Sequence, residues 1–187
     1  MKFEIVTFGS PVLRVKATPV SDVTADFKRL ADDMMETMYG AEGVGLAAQQ
    51  VGRAVSLCVI DVPPELDVDQ EGGERSNPDI PMPLVMFNPR IKERGGPQQR
   101  RDEGCLSFPG IHTGVQRAAE VTVFFIDWKG VPKTLHCRGL LARAVQHETD
   151  HLNGLLFIDR MDKKTKAELQ PELDNLQAAT KKEMEKK

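Results

Sequence analysis

The sequence predicts one α+β domain in which antiparallel β-strands pack around a central helix, with one helix near the N-terminus and an amphipathic helix at the C-terminus. Apolar residues recur at helical spacing over residues 24–40, and β-branched runs at 55–61 and 120–127 have the composition of strands. Residues 140–153, LLARAVQHETDHLN, combine good helix formers with an apolar face. The sequence has 187 residues and a hydrophobic content of 40%. This is enough for one hydrophobic core and too short for two independent ones, so we expect residues 1–187 to form a single domain.

The N-terminal half of the chain contains a helix and a strand with clear boundaries. Thr24 is placed to cap the first helix, and Gly40 is placed to end it. Met34 and Met38 lie on its apolar face, where methionine is far more often core filler than a functional stripe. The strand at 55–61, VSLCVID, contains Cys58, which we interpret as an inert core thiol.

Two polar stretches follow this strand. Residues 63–83 contain several prolines and acids and no aromatic residue, so we expect a long exposed loop whose main task is to connect strands. A short strand at 84–88 then leads into a second polar segment, 92–102, which delivers the chain to the sequence EGCLSFPG at 103–110.

The C-terminal half is predicted to contain a hairpin and two helices. Strands at 120–127 and 131–137 are joined around Lys129 and Gly130, with Trp128 at the tip, which indicates a β-hairpin. The helix at 140–153 ends before a glycine. The tail, 163–187, is predicted to form an amphipathic helix with a kink or restart near Pro171.

Composition excludes several classes of function. A formal charge of -3, with acids and bases interspersed, provides no basic face for direct nucleic acid binding. No apolar run approaches the roughly 20 residues of a membrane span, and Glu4 and Pro11 interrupt any signal-peptide core. The three cysteines are an odd number without a close pair, which is typical of a reducing compartment. We therefore expect a cytoplasmic protein with no membrane contact.

The central helix carries an HExxH pattern. His147 and His151 are four residues apart, so both imidazoles leave the same face of the helix and can converge on one cation. Glu148, beside the first histidine, supplies the carboxylate base that metal-assisted hydrolysis requires. The alternative is a helix whose histidines are only solvated or hydrogen-bonded. A third ligand distinguishes the two interpretations.

Cys105 is the candidate third ligand. No histidine follows His151, and the acids beyond it lie in a loop and in the tail helix, so the downstream position used by most HExxH peptidases has no candidate. A thiolate with two imidazoles forms a Cys, His, His set that leaves a fourth position open for water, as catalytic sites do. The alternative for Cys105 alone is a buried structural thiol. This pattern predicts that the central helix is a metal-binding helix.

Three motifs together resemble the peptide deformylase family of bacterial type. They are GVGLAAQQ at 43–50, which matches GxGxAAxQ, then EGCLS at 103–107, and QHETDHLNG at 146–154, which matches HExxDH. The resemblance implies a metal-dependent hydrolase that removes the formyl group from the N-terminal formylmethionine of newly synthesised polypeptides and releases formate. Metal-bound water would attack the formyl carbon with Glu148 as general acid/base, and Gln50 and the backbone N–H of Leu106 would bind the oxyanion.

The resemblance also implies ligands, substrate contacts and a cofactor. The metal ligands are then Cys105, His147 and His151, and the predicted substrate-binding residues are Gly43, Val44, Gly45, Glu103, Gly104 and Arg117. For Arg117 the alternative is an exposed arginine without such a task. Asp150 is a candidate partner that holds a ligand imidazole in one tautomer, with a solvated acid as the alternative. One divalent ion is expected per chain, Fe2+ in cells, with Zn2+, Ni2+ or Co2+ accepted by the purified protein. The partner is a nascent formylated polypeptide, and the lysine-rich tail raises the hypothesis of ribosome contact.

Three other functions are weighed against this interpretation. A zinc peptidase is disfavoured by the cysteine ligand and by Gln50. A metal-stabilised binding module needs four protein ligands, and the spare donors have no matching spacing; they are Cys58, His112, His136 and Cys137. A phosphate-binding role for GVG lacks the following Lys and Ser or Thr, so we reject it.

Overall fold

The computed structural model describes residues 2–68 and 73–186 and has an α+β architecture. The elements are α1 (Ala25–Gly40), β1 (Gly45–Ala47), β2 (Leu57–Ile60), β3 (Leu84–Gly104), β4 (His112–Ile126), β5 (Pro132–Arg138), α2 (Gly139–Leu152) and α3 (Lys163–Met184). The five strands form one antiparallel sheet in the order β1-β2-β3-β4-β5. The predicted fold class is confirmed, and the predicted helix at 140–153 is α2.

The sheet is covered by α1 on one face and by α2 on the other. Strand β2 shows how the sequence achieves this, because its side chains alternate between the two faces. Leu57 and Val59 pack in the cluster that contains Met34 and Met38 of α1, while Ile60 packs in the cluster of α2. Both methionines are fully buried, as predicted for core filler. Helix α2 therefore lies inside the domain and packs its apolar side against the sheet. Its other side is polar.

Helix α3 closes a third, smaller apolar cluster. Leu173 packs there with Phe108 and Phe157, and the Thr180 hydroxyl hydrogen-bonds the Thr7 hydroxyl at 2.6 Å. Of the kink or restart predicted near Pro171, the restart is wrong, because α3 runs through this residue without a break; the kink stays a prediction. None of the helices in residues 2–68 and 73–186 combines the length and apolarity needed to cross a membrane.

The largest departure from the sequence prediction concerns residues 92–102, which are not a connecting segment but part of the 21-residue strand β3. The prediction failed because the polar side chains of this part do not alternate with apolar ones. Pairing with β4 continues as far as Gly104 and His112, so the backbone hydrogen bonds are satisfied beyond the apolar core. This long β3–β4 hairpin carries the chain directly to Cys105.

The segment at 63–83 is anchored to the domain despite its polar composition. Asp67 and Asn77 are buried and hydrogen-bond each other at 2.6 Å. The Asn77 amide also accepts from the backbone N–H of Arg138 at 2.9 Å and donates to its carbonyl at 3.1 Å. Residues 69–72 of the predicted loop lie outside the described residues. The anchor therefore ties this segment to the residue that precedes α2.

Candidate metal centre and active site

Three predicted ligands converge on one point. The ligand atoms of Cys105, His147 and His151 all lie within 4.8 Å of one another, and Cys105 Sγ lies 3.3 Å from His151 Nε2. The thiol follows the end of β3, and both imidazoles project from one face of α2. Across residues 2–68 and 73–186, no other group of three or more potential ligands meets the same distance limit. A closed site built from the spare histidines and cysteines is therefore not formed by the described residues.

Glu148 lies beside this group and is buried, with 3% of its surface exposed. Burial is the main cause that raises the pKa of its carboxyl to about 7. Gly45 of β1 faces it, and a Cβ atom at position 45 would overlap Glu148 Oε1. The glycine therefore leaves the space in which this carboxylate stands.

Gln50 extends from the short 3₁₀ helix Ala48–Val51 toward the same point. Its Oε1 accepts from the backbone N–H of Ala47 at 2.9 Å, which fixes the amide orientation. Its Nε2 lies 3.5 Å from Cys105 Sγ and donates to the Ser107 hydroxyl at 3.3 Å. A buried N–H donor is thereby aimed beside the thiol.

A cleft of about 560 Å³ opens onto these groups, a volume within the range of small-ligand sites. The cleft is lined by residues 41–45, by residues of the segment 102–112 and by residues of α2. The predicted residues that line it are Gly43, Val44, Gly45, Gln50, Glu103, Gly104, Cys105, Leu106, His147 and Glu148. Phe108 also lines the cleft.

Charged side chains, most of them buried, form a continuous network that begins at the cleft lining and extends behind it. Glu103 accepts from Arg117 at 2.7 and 3.0 Å and from Arg143 at 2.5 Å, and its Oε2 lies 3.2 Å from His147 Nδ1. Asp150 accepts from Arg117 at 2.7 Å and from Arg160 at 2.7 and 3.1 Å. The carboxylates are thus held by guanidinium groups on β4, on α2 and in the turn before α3.

This network changes the interpretation of two predicted residues. Arg117 is only 4% exposed and binds Glu103 and Asp150, and it is absent from the cleft lining. Asp150 contacts two arginines rather than an imidazole. The residue that contacts a ligand imidazole is Glu103, which was predicted only as a substrate contact. Its carboxylate is already engaged by these buried partners.

Electrostatic surroundings separate the two histidines. Burial lowers the pKa of His147, but hydrogen bonds with Cys105 and Glu103 outweigh it and the pKa rises well above its ordinary value. Burial lowers the pKa of His151 well below its ordinary value, and the neighbouring His147 lowers it further. Burial raises the pKa of Glu103, yet hydrogen bonds with His147 and Arg117 bring it down to about 2.

Sequence reasoning missed three residues of this site. Arg143 lines the cleft and could have been found from its position four residues before His147, on the same side of the helix. Ser107 gave no local signal, because its partner Gln50 lies 57 positions away. Arg160 binds Asp150 ten positions away, which no helical or strand spacing predicts.

Comparison with known proteins agrees with this geometry. A family described as polypeptide deformylase matches residues 2–167. The peptide deformylase of Opitutus terrae is 45% identical over 183 residues, which is 96% of this chain and 95% of that protein. That of Rhizobium meliloti is 44% identical over 159 residues, 85% of this chain and 84% of that protein. The chain belongs to the peptide deformylase family.

Solved structures of peptide deformylases share the fold. The Thermus thermophilus structure has a TM-score of 0.81 at 38% identity and covers 96% of this chain and 99% of its own. A Synechococcus elongatus peptide deformylase in complex with actinonin has a TM-score of 0.76 at 37% identity, covering 95% of this chain and 85% of its own. The predicted family and its hydrolase class are thereby confirmed.

Proposed function

We propose that this peptide deformylase hydrolyses the N-formyl group of formylmethionyl peptides at Cys105, His147 and His151, with Glu148 as general acid/base. The observation that carries the proposal is the convergence of three ligand atoms within 4.8 Å beside a buried carboxylate at the base of an open cleft. Such an arrangement suits hydrolysis of an unactivated amide, because it combines a position for a Lewis-acidic metal ion with a carboxylate that can accept a proton.

The donor set fits one divalent transition metal. One thiolate and two imidazoles are the donors that iron, zinc, nickel and cobalt accept, and three protein ligands leave a position for the reacting group. When bound, such a cation acidifies water and polarises a carbonyl oxygen. We propose Fe2+ in cells, with Zn2+, Ni2+ or Co2+ as functional or inert replacements in purified protein.

Glu148 is proposed to move the proton in both halves of the reaction. Its pKa of about 7 is close to the pH at which a general base must alternate between its two forms. The carboxylate takes the proton of the attacking water and later returns it to the nitrogen of the leaving amine. Breakage of the formyl C–N bond then releases formate and the free N-terminus.

Two donors are proposed to bind the oxyanion of the tetrahedral intermediate. Gln50 Nε2 is held in place because Ala47 N–H binds the other end of the amide. The second proposed donor is the backbone N–H of Leu106, a residue that follows the cysteine ligand and lines the cleft. Preorganised donors of this kind need no rearrangement as charge develops.

The substrate peptide is proposed to extend along β1. This strand lies at an edge of the sheet, so an extended chain can add to its outer side through backbone hydrogen bonds. Gly43, Gly45 and Gly104 line the cleft, and none of them has a side chain that would obstruct the peptide. The methionine side chain would occupy the apolar part of the cleft near Phe108 and Leu140.

The test is formate release from formyl-Met-Ala-Ser by protein loaded with Fe2+ or Ni2+ without oxygen, with the unformylated peptide as control. Glu148→Gln should retain metal and lose about 100- to 10,000-fold in kcat, the typical contribution of a positioned acid/base. Retained turnover would remove Glu148 from the mechanism. Absence of formate from a fully loaded wild-type site would contradict the proposed reaction.

The nascent chain is the proposed partner in the cytoplasm, and ribosome contact is proposed through the lysines that end α3. Lys181, Lys182 and Lys186 are exposed. Their replacement by glutamate should abolish co-sedimentation with ribosomes and leave turnover of the free peptide unchanged. Unchanged co-sedimentation would contradict this contact.

A further inference from the structure

Gln49, the neighbour of Gln50, has no role in the proposed chemistry yet is fully buried. Its Nε2 donates to the backbone carbonyl of His151 at 2.7 Å and to that of Val15 at 3.3 Å. Both N–H bonds of the amide therefore end on carbonyl oxygens. Gln49 does not line the cleft, so it cannot contact the substrate directly.

The His151 carbonyl lies at the end of a helix, because His151 is the last residue but one of α2. The last four carbonyls of a helix have no partner within it, and helix ends fray. In α2 all four of these carbonyls accept a hydrogen bond from outside the helix. Asn153 binds two of them, because its side-chain Nδ2 donates to the Thr149 carbonyl and its backbone N–H donates to the Asp150 carbonyl. The backbone N–H groups of Gly154 and Ala17 donate to the carbonyls of His151 and Leu152, respectively. Gln49 adds a second donor to the His151 carbonyl.

We infer that Gln49 is a positioning residue that fixes the His151 end of α2, and with it the distance from His151 to His147 and Cys105. The inference rests on the proposed ligand set. His147 is oriented through its ring by Glu103, whereas His151 is located through its backbone. Because Gln49 and Gln50 are adjacent in the 3₁₀ helix Ala48–Val51, one short element sets both a ligand position and the oxyanion donor.

The test uses full-length protein loaded with Co2+ and compares wild type with Gln49→Met, which keeps side-chain length and removes the donors. The visible absorption of Co2+ reports ligand geometry, and the rate of Co2+ loss to a chelator reports retention. We expect a shifted cobalt spectrum and about 10-fold faster loss, the lower end of effects for residues that hold metal ligands. In deformylation, kcat should fall while KM stays unchanged.

Met34→Ala in α1 is the matched control, because it weakens the core on the opposite face of the sheet. It should lower Tm and keep the wild-type spectrum and loss rate. Gln49→Asn, whose amide is one methylene shorter, serves as a milder variant if Gln49→Met does not fold. A Gln49 variant that loses stability but keeps the wild-type spectrum and loss rate would overturn the inference. Failure of wild type to bind one Co2+ per chain would instead overturn the ligand set, and with it this inference.

Discussion

The surroundings of His147 and of His151 differ although one helical turn separates the two ligands. The His147 ring contacts a buried carboxylate, Glu103, which two arginines hold in turn. The His151 ring has no hydrogen-bond partner for Nδ1 among the described residues, and its backbone carbonyl is bound twice. The pKa of His147 is raised and that of His151 is lowered.

This difference teaches that one metal site can be positioned in two physical ways. Around His147, charges buried in the low-dielectric interior are stable only as long as every partner remains. Around His151, position depends on backbone geometry at the end of a helix. The region around His147 should therefore be most sensitive to loss of a charge, and the region around His151 should be most sensitive to backbone strain.

The largest effect is expected from Glu103→Ala. Removal of this carboxylate leaves Arg117 and Arg143 buried beside each other, and breaking a buried ion pair typically costs about 3–5 kcal/mol. Metal affinity should also fall about 10- to 100-fold, since Glu103 orients a ligand imidazole. Urea unfolding of the metal-free protein and chelator competition measure the two effects.

Glu120→Ala is the matched control for this prediction. Glu120 lies on β4 and contacts His136 and Arg138 in a half-exposed setting, so its loss should cost less than about 1 kcal/mol. Equal losses in the two variants would contradict the importance of the buried network.

A smaller effect is expected from Gly154→Ala, just beyond α2. Gly154 has φ +72, and a Cβ atom there would lie 2.6 Å from the carbonyl oxygen of Arg14. Unfolding free energy should fall by roughly 1–3 kcal/mol from strain, and NMR signals of the His151 imidazole should shift more than those of His147.

Gly130→Ala separates conformational strain from steric overlap. Gly130 has φ +81, but the nearest atom to an added Cβ is 4.0 Å away, so only the cost of a left-handed conformation applies. This variant should be less destabilising than Gly154→Ala and should leave both imidazole signals in place. Comparable shifts of both rings in Gly154→Ala would mean that the two regions are not independent.

The smallest effect is expected from Arg160→Gln at the outer end of the network. The Arg160 side chain is 41% exposed, and solvent screens its interaction with Asp150, so the loss should stay below about 1 kcal/mol. Arg117→Met, at the buried centre, should cost several times more. Urea denaturation at low and high salt measures the two losses of unfolding free energy. A large loss in Arg160→Gln would mean that the region sensitive to charge includes the turn before α3.

The sequence by itself determined the position of the helices, the family and the group of residues that converges at the cleft. Helical spacing places His147 and His151 on one face of a helix. The cysteine motif identifies Cys105 as the candidate third ligand without knowledge of the fold. These features are local, because periodicity and short motifs depend on residues a few positions apart.

Only the tertiary structure decided how these residues are held. Residues 92–102 became a strand because β4 offers hydrogen-bond partners, and Arg117 became part of a buried network because Glu103 and Asp150 flank it. The contacts of Gln49 likewise join distant parts of the chain. Composition and spacing cannot reveal such contacts, because the energy of a buried polar group depends on partners that folding alone brings within reach.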